Sequence, residues 1–118
     1  MKTKIHWFAI ALCTLSTHLF AQETQDEIIA TWYTGEAKVE IYQEGERYIG
    51  NPINPAGERV TDIEVLNLEY DQGKWTGKIY ARKRDKLFDV ECQIKGEVLH
   101  LEVDAGFRSR ELQWIQAN

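Results

Sequence analysis

The sequence predicts an all-β fold, a small antiparallel up-and-down barrel of about eight strands. Short runs rich in Val, Ile, Tyr, Trp and Leu recur between turn residues at intervals of about 8–12 residues, which is typical of a sandwich or a barrel. Apolar and polar side chains alternate within several runs, and no stretch of about 11 residues has the helical period. Tight turns make neighbouring strands antiparallel, and closing the sheet removes the two edges that invite aggregation.

The N-terminus has the pattern of a secretory signal peptide. Two lysines precede an apolar run over residues 5–20, which ends in Ala21 before a polar segment. A basic start, an apolar centre and a small residue at the end are the three parts of such a signal. We therefore expect a signal peptide over residues 1–21, a flexible lead over residues 22–27 and a single barrel domain over residues 28–118. The processed protein would then be periplasmic or secreted.

Two other interpretations of this segment remain open. An uncleaved membrane anchor needs roughly 20 strongly apolar residues, whereas this run is shorter and carries His6 and His18. A lipoprotein signal ending at Cys13 would place the bulky Leu12 directly before the lipidated cysteine. Cleavage is favoured over both, so membrane contact is expected only through this segment and only where it stays uncleaved.

The composition bounds what the processed chain can be. Loss of residues 1–21 removes two lysines and no acid, so the formal net charge goes from −5 to −7 over the remaining 97 residues. That length suffices for one domain with one core. The acidic balance disfavours nucleic-acid binding, which needs basic surface against phosphates. Cys92 is then the only cysteine, so no internal disulfide is expected, and no Cys/His spacing indicates a metal site.

The first three predicted strands form a meander of hairpins. Residues 28–33 carry Trp32 on their apolar face, and a Thr-Gly-Glu turn follows. Residues 37–43 alternate strictly, with Val39 on the apolar side, which is the mark of a half-buried strand. A Glu-Gly-Glu turn then leads into the return strand over residues 47–50.

The fourth predicted strand follows the longest loop and changes phase. Residues 51–60 hold both prolines, so they are predicted to be loop. Within residues 63–70 the apolar positions move from odd to even numbers between Val65 and Leu66. A β-bulge produces such a slip and bends a strand where a barrel closes.

The last four predicted strands are joined by tight turns. They cover residues 74–82, 86–94, 98–103 and 108–115. From Phe88 to Ile94 the even positions are apolar and the odd positions are acidic or amide side chains, so they are expected to face in and out respectively.

Several short motifs follow one another in the order of a known family. They are Trp32 ahead of Val39-Glu40-Ile41-Tyr42, then Tyr48-Ile49-Gly50, Asn54-Pro55 with Arg59, Gly77-Lys78-Ile79-Tyr80, and Arg110 with Trp114. Over residues 28–116 they resemble the exported bacterial family catalogued as domain of unknown function 2147. Two positions depart from it: Ala81-Arg82 stands where Asp-Pro is usual, and Asp62 stands where a glycine is usual. The resemblance implies export and a small, lipocalin-like β-barrel, and it brings no activity with it.

No catalytic group is predicted. Nucleophilic hydrolysis needs a nucleophile held by a base, and the processed chain has one serine, Ser109, and one histidine, His100, expected beside a turn and on an outer face. Cys92 should be buried and inert. Asp89 and Glu91 are expected on a solvated strand face rather than in acid–base work. No loop gathers the carboxylates that calcium needs, so no metal or cofactor is expected.

The aromatic residues are the better candidates for binding a ligand. Aromatic-lined concavities with few polar groups are typical of small-ligand pockets. The predicted ligand-binding residues are aromatics of the strands together with polar side chains expected at one rim: Trp32, Trp75, Tyr80, Trp114, Asn54, Arg59, Arg108 and Arg110. The alternative is ordinary core packing of the aromatics, with Arg110 stacked on a tryptophan as part of barrel closure.

One basic run stands out in an acidic chain. Residues 82–86 read Arg-Lys-Arg-Asp-Lys, a run suited to anionic lipid headgroups, to an acidic partner or to a soluble hairpin tip. We expect an exported, non-enzymatic β-barrel that binds a small or amphipathic ligand in the cell envelope. The alternative is a protein-interaction module, either an envelope chaperone or an inhibitor of a basic hydrolase, whose cationic protein partner is drawn by the negative charge.

Overall fold

The computed structural model describes residues 25–117, so the predicted signal peptide and residues 22–24 lie outside the described part. Within that part, no helix has the length and hydropathy needed to cross a membrane. Eight strands form one closed antiparallel up-and-down barrel, which confirms the predicted fold class. The strands are β1 (Thr31–Tyr33), β2 (Lys38–Glu44), β3 (Arg47–Pro52), β4 (Leu66–Asp71), β5 (Lys74–Ala81), β6 (Lys86–Lys95), β7 (Val98–Asp104) and β8 (Ser109–Gln116).

Closure depends on the shortest strand. Each strand pairs with the next one in the chain, and β8 returns to β1 with Trp32 opposite Gln116 and Tyr33 opposite Ile115. On its other side β1 places Trp32 opposite Val39 of β2. Strand β1 therefore pairs on both sides, with three register partners on β2 and two on β8, and within residues 25–117 the sheet closes without an open edge.

The meander gives the barrel two distinct ends. The turns after β2, β4 and β6 lie at one end together with residues 25–30, and we call this the N-terminal end. The turns after β1, β3, β5 and β7 lie at the other, which we call the loop end. A contact between two of these turns, Lys83 Nζ to Glu36 Oε1 at 3.9 Å, joins opposite parts of the loop end.

Side chains fill the interior of the barrel. The alternation predicted for β6 is confirmed, since Val90 and Cys92 are buried while Asp89 and Gln93 are exposed. The same alternation in the other strands yields a single core cluster. Its fully and nearly fully buried members are Ile28, Trp32, Val39, Ile41, Tyr48, Leu66, Leu68, Trp75, Ile79, Val90, Cys92, Leu99, Leu101, Val103 and Trp114.

The N-terminal end is plugged by a turn rather than extended by a strand. We expected a strand from residue 28, but β1 begins at Thr31, because the Ile29 N–H donates to the Asp26 carbonyl at 3.0 Å and folds residues 26–29 into a turn. The side chain of Ile28, within this turn, is fully buried and packs into the core cluster. The Trp32 indole N–H donates to the Ile28 carbonyl at 3.0 Å, which holds the turn against the barrel wall.

The predicted phase change falls where β4 begins. The Val65 N–H donates to the Gly50 carbonyl at 2.8 Å, although the register partner of Gly50 is Leu66. Val65 and Leu66 both pack into the core cluster, so two consecutive residues face one on β3, which is the arrangement of a β-bulge. The loop between β3 and β4 runs from residue 53 to residue 65, and β3 continues through Asn51 and Pro52, which had been predicted as loop.

Candidate functional site

The three tryptophans predicted to line a pocket are part of the core. Trp32, Trp75 and Trp114 are all buried and belong to the cluster that fills the barrel. Trp75 packs edge-on against Tyr70 with ring centroids 5.2 Å apart. The Trp75 indole N–H has no hydrogen-bond partner among the described residues. The structure thus brings these side chains together in a hydrophobic core, whose area stabilises the barrel.

Asn54 and Arg59 lie on the outer wall, away from the tryptophans. Both belong to the loop after β3, where the Asn54 side-chain carbonyl accepts the backbone N–H groups of Ala56 and Glu58 at 3.0 Å each. The Arg59 guanidinium bonds Glu40 Oε1 at 2.9 Å and lies 4.1 Å above the Tyr42 ring. These two predicted ligand-binding residues therefore shape and fasten the loop.

The same loop buries part of the outer wall. Ile49 and Asn51 of β3 point away from the barrel interior, yet both are buried. The Asn51 amide N–H donates to the Ile63 carbonyl at 2.8 Å, while its side-chain oxygen has no partner among residues 25–117. The hydrogen bond from Asn51 to Ile63 thus fastens the loop to β3.

Tyr80 points outward at the loop end of β5. Its hydroxyl donates to Asp85 Oδ1 at 2.6 Å, and this hydrogen bond, with a smaller contribution from burial, raises the pKa of Tyr80. The bond fastens the turn after β5 and fixes the carboxylate of Asp85 beside the basic run. Tyr80 is therefore close to the predicted basic turn and separated from the three core tryptophans by the barrel wall.

The loop end gathers six of the twelve lysines and arginines within residues 25–117. The turn after β5 and the turn after β7 both project there, and they bring two predicted ligand-binding residues, Arg108 and Arg110, to the same end as residues 82–86. We call this group the cationic rim. It consists of Arg82, Lys83, Arg84, Lys86, Arg108 and Arg110, all of them exposed.

Cations elsewhere on the wall are mostly paired, and those of the cationic rim are not. On the wall, Lys74 bonds Glu91 at 2.7 Å and Lys78 bonds Asp89 at 2.5 Å. The carboxylate of Glu91 raises the pKa of Lys74 through this hydrogen bond. In the described part of the chain, five of the six rim cations make no ion pair, and Lys83 makes only the 3.9 Å contact to Glu36.

Two exposed apolar side chains accompany the cationic rim, and neither belongs to the predicted set of ligand-binding residues. Phe107, in the turn after β7, is 97% exposed, and Leu87, near the start of β6, is 57% exposed. The sequence feature that could have indicated Phe107 is an aromatic residue in a Gly-Phe-Arg turn, a place where polar residues are usual. An aromatic ring held in solvent next to unpaired cations gives the loop end the chemistry of a surface for anionic, amphipathic groups.

An acidic row crosses the outer wall on β6, β7 and β8. Cross-strand register places Glu91, Glu102 and Glu111 side by side, and they line an open depression of about 110 Å³. His100 Nδ1 lies 3.1 Å from Glu111 Oε1, and this hydrogen bond lowers the pKa of Glu111. No group of three or more His, Cys, Asp or Glu side chains within residues 25–117 is arranged to hold a metal ion.

The thiol of Cys92 is shielded from solvent. Cys92 is fully buried in the core, and burial raises the pKa of its thiol to about 12, with a smaller contribution from Glu91. His100 lies on the outer side of β7, where it faces Gln93 and Gln113 across the sheet, and Cys92 faces Leu101. The thiol and the imidazole are therefore on opposite faces of the sheet.

The fold and the rim together define a small closed β-barrel with a filled interior and a cationic, partly apolar loop end. Comparison of the chain with protein-family models, with curated proteins and with solved structures finds no significant match. The resemblance to the exported family of unknown function stays a prediction.

Proposed function

We propose that this chain is an exported, non-enzymatic binding protein of the cell envelope that takes an anionic, amphipathic ligand at the cationic rim. The ligand would present its anionic group to the arginines and lysines of the two turns and its apolar part to Phe107 and Leu87. Arginine binds phosphate and carboxylate groups through paired N–H donors, which suits such a ligand.

The filled interior supports a binding surface at one end rather than inside the barrel. An eight-stranded barrel has room either for its own side chains or for one small ligand. Here the tryptophans Trp32, Trp75 and Trp114 occupy that space together with Tyr48. Trp32 and Trp75 therefore serve the fold, and Arg108 and Arg110 are the residues of the predicted binding set that remain available to a ligand.

The observation that carries the proposal is the separation of paired from unpaired cations. An acidic chain has enough carboxylates to neutralise its lysines and arginines, as it does for Lys74 and Lys78 on the wall. At the cationic rim it leaves five cations without an ion pair within the described residues and adds an exposed aromatic ring. Unpaired cations beside exposed apolar surface are a typical arrangement for binding an anionic partner.

Calorimetric titration with dodecyl phosphate tests the proposal. Dodecyl phosphate should bind saturably, and dodecyl maltoside and dodecyltrimethylammonium, which share its tail, should not. Reversing two rim charges in Arg84→Glu/Arg108→Glu should weaken binding at least about tenfold, since each cation near an anionic surface contributes about 1 kcal/mol. Lys95→Glu reverses one charge at the N-terminal end, half the charge change of the rim variant, and should leave binding unchanged.

Two results would contradict the proposal. One is equal binding of the phosphate and the maltoside, which would mean that the tail alone is recognised. The other is an equal loss of affinity in the rim variant and in Lys95→Glu, which would mean that only net charge matters.

A cationic protein partner stays a prediction. The row formed by Glu91, Glu102 and Glu111 has the charge that such a partner would seek, but Lys74 and His100 already bond two of its three carboxylates.

A further inference from the structure

We propose that the loop end docks end-on against an anionic phospholipid bilayer, with Phe107 inserted among the headgroups. This inference rests on the proposed function. It specifies that the anionic, amphipathic ligand is a lipid in a membrane surface rather than a single captured molecule. It also differs from the expectation that the chain meets a membrane only through its N-terminal segment.

The topology places every required group on one surface. The turns after β5 and β7 project from the same end because both follow odd-numbered strands of an antiparallel meander. Strands β5 to β8 are consecutive neighbours in the wall, so the two turns lie on the same side of the loop end. A plane laid against this end can therefore touch residues 82–86 and Phe107 at the same time.

The turn after β7 holds Phe107 outward by its own hydrogen bonds. The Ala105 N–H donates to the Arg108 carbonyl at 2.9 Å, and the Gly106 N–H donates to Asp104 Oδ1 at 3.0 Å. Gly106 has a φ of 92°, a left-handed conformation that favours glycine. The ring beyond it is 97% exposed. An aromatic ring fixed in this way is costly in water and favourable at the headgroup level of a bilayer.

The charge of the surface matches an anionic bilayer. Residues 82–86 and 104–110 hold six cations and two carboxylates. Both carboxylates accept hydrogen bonds, Asp85 from the Tyr80 hydroxyl of β5 and Asp104 from the Gly106 N–H of the turn after β7. Lys86 Nζ and Arg84 Cζ lie 5.5 and 6.0 Å from the centre of the Phe88 ring, so an aromatic ring holds both charged groups at the loop end.

The filled interior favours a bilayer over a single extracted lipid. An extracted lipid needs a cavity for its acyl chains, and the barrel below the rim is packed by Val103, Ile79 and Phe88 among others. A lipid that stays in a bilayer keeps its chains among other lipids, so only its headgroup and the interface need to be contacted. This is the contact that a flat rim of cations with one projecting aromatic ring can make.

The docked end lies opposite the end at which the described residues begin. Ile28 and its turn plug the N-terminal end of the barrel, and the cationic rim lies at the other end. Mass spectrometry of the purified protein identifies whether residues 1–21 are present in the form used for the experiments.

Co-sedimentation with large unilamellar vesicles tests the docking. The protein, as processed by the expressing cell, should sediment with vesicles of phosphatidylglycerol and phosphatidylethanolamine and not with vesicles of phosphatidylcholine, and high salt should release it. Arg84→Glu/Arg108→Glu should lower the partition coefficient at least about tenfold and Phe107→Ala about fivefold, following the usual contributions of headgroup charge and interfacial aromatic rings. Lys95→Glu should bind like the unmodified chain.

Insertion of the ring has its own readout. In Phe107→Trp the new indole is exposed, while Trp32, Trp75 and Trp114 are buried. Vesicles of phosphatidylglycerol should shift the emission of the variant to the blue and protect it from acrylamide, and the unmodified chain should show neither effect. Circular dichroism of each variant checks that the barrel is intact.

The outcomes separate the two proposals. Binding of dodecyl phosphate without sedimentation on phosphatidylglycerol vesicles overturns docking and leaves the proposed function standing. Failure of both dodecyl phosphate and the vesicles overturns both. Sedimentation equal on phosphatidylcholine, or an unchanged emission of Phe107→Trp on bound vesicles, also overturns docking as described here.

Discussion

Gly77 of β5 lies opposite Leu68 of β4, and a Cβ atom added to Gly77 would lie 2.0 Å from the carbonyl oxygen of Asn67. The obstacle is backbone, which cannot rotate away as a side chain can. At Gly50 an added Cβ would meet the side chains of Leu66 and Val39 at 3.1 Å, a tight contact that small shifts relieve. Strands β4 and β5 thus approach each other at Gly77 too closely for any side chain.

This difference between two glycines gives a stability prediction. Gly77→Ala should lower the free energy of unfolding by about 3 kcal/mol or more and Gly50→Ala by about 1 kcal/mol, because overpacking costs more where the obstacle cannot move. Urea denaturation followed by circular dichroism measures both. Equal losses would show that the close approach of β4 and β5 is not what requires glycine at residue 77.

The plug at the N-terminal end gives a second prediction with an adjacent control. Ile28 is 0% exposed and Ile29 is 40% exposed. Ile28→Ala should cost about 2–4 kcal/mol of unfolding free energy, the usual range for truncating a buried isoleucine, and Ile29→Ala less than about 0.5 kcal/mol. Urea denaturation of both variants provides the comparison. A small effect of Ile28→Ala would mean that the turn is not part of the cooperative core.

Periodicity predicted the strands well and the plug poorly. In β6 apolar and polar residues alternate without exception from Phe88 to Ile94, and burial follows this alternation. The reason is that a strand in a closed barrel has one face towards solvent and one towards the core. An apolar residue at position 28 fits both a strand that faces the core and a turn that closes the end of the barrel, so the sequence pattern does not distinguish the two structures. Only the contact of Ile28 with Trp32, which lies four residues further on, decides between the two.

The candidate site was predicted in part, for equally physical reasons. Alternation shows that Trp32 and Trp75 face inward, but it does not show how wide the interior is, so core and pocket look alike in the sequence. Arg59 lies in a loop, which has no period, and its position over Tyr42 depends on tertiary contacts. Phe107 is a single apolar residue in a turn, and its exposure depends on how β7 and β8 end.

The loop over β3 yields a third prediction. Arg59 bonds Glu40 while stacking on Tyr42, and the Val60 N–H donates to the Pro52 carbonyl at 2.8 Å. A double-mutant cycle of Arg59→Gln and Glu40→Gln should give a coupling of about 0.5–1 kcal/mol, since both side chains are partly exposed. Hydrogen exchange of the Val60 amide should accelerate in either variant.

Lys74 provides the matched control for this loop. It also pairs with a glutamate, Glu91, at 2.7 Å and with an exposure close to that of the Arg59–Glu40 pair, but it does so on the wall formed by β5 and β6. Lys74→Gln should therefore leave exchange of the Val60 amide unchanged. Acceleration in this variant as well would mean that charge removal loosens the barrel in general and that Arg59 does not specifically fasten the loop.

The buried thiol yields the last prediction, a loss of stability in alkali. Burial raises the pKa of Cys92 from 9.0 to about 12, so between these pH values the unfolded chain loses a proton that the folded chain keeps. The stabilisation is complete below pH 9 and falls as pH rises towards the folded pKa, with a slope of at most about 1.4 kcal/mol per pH unit. Burial also raises the pKa of Tyr48 to about 12, with a contribution from Asp26, and this acts in the same direction.

Cys92→Ala tests the contribution of the thiol. Above pH 9 the free energy of unfolding of this variant should fall with pH less steeply than that of the unmodified chain, and urea denaturation of both proteins across this range measures the difference. Identical slopes would show that the thiol ionises alike in the folded and unfolded chain, which is incompatible with its place among Trp75 and Leu101 in the barrel core.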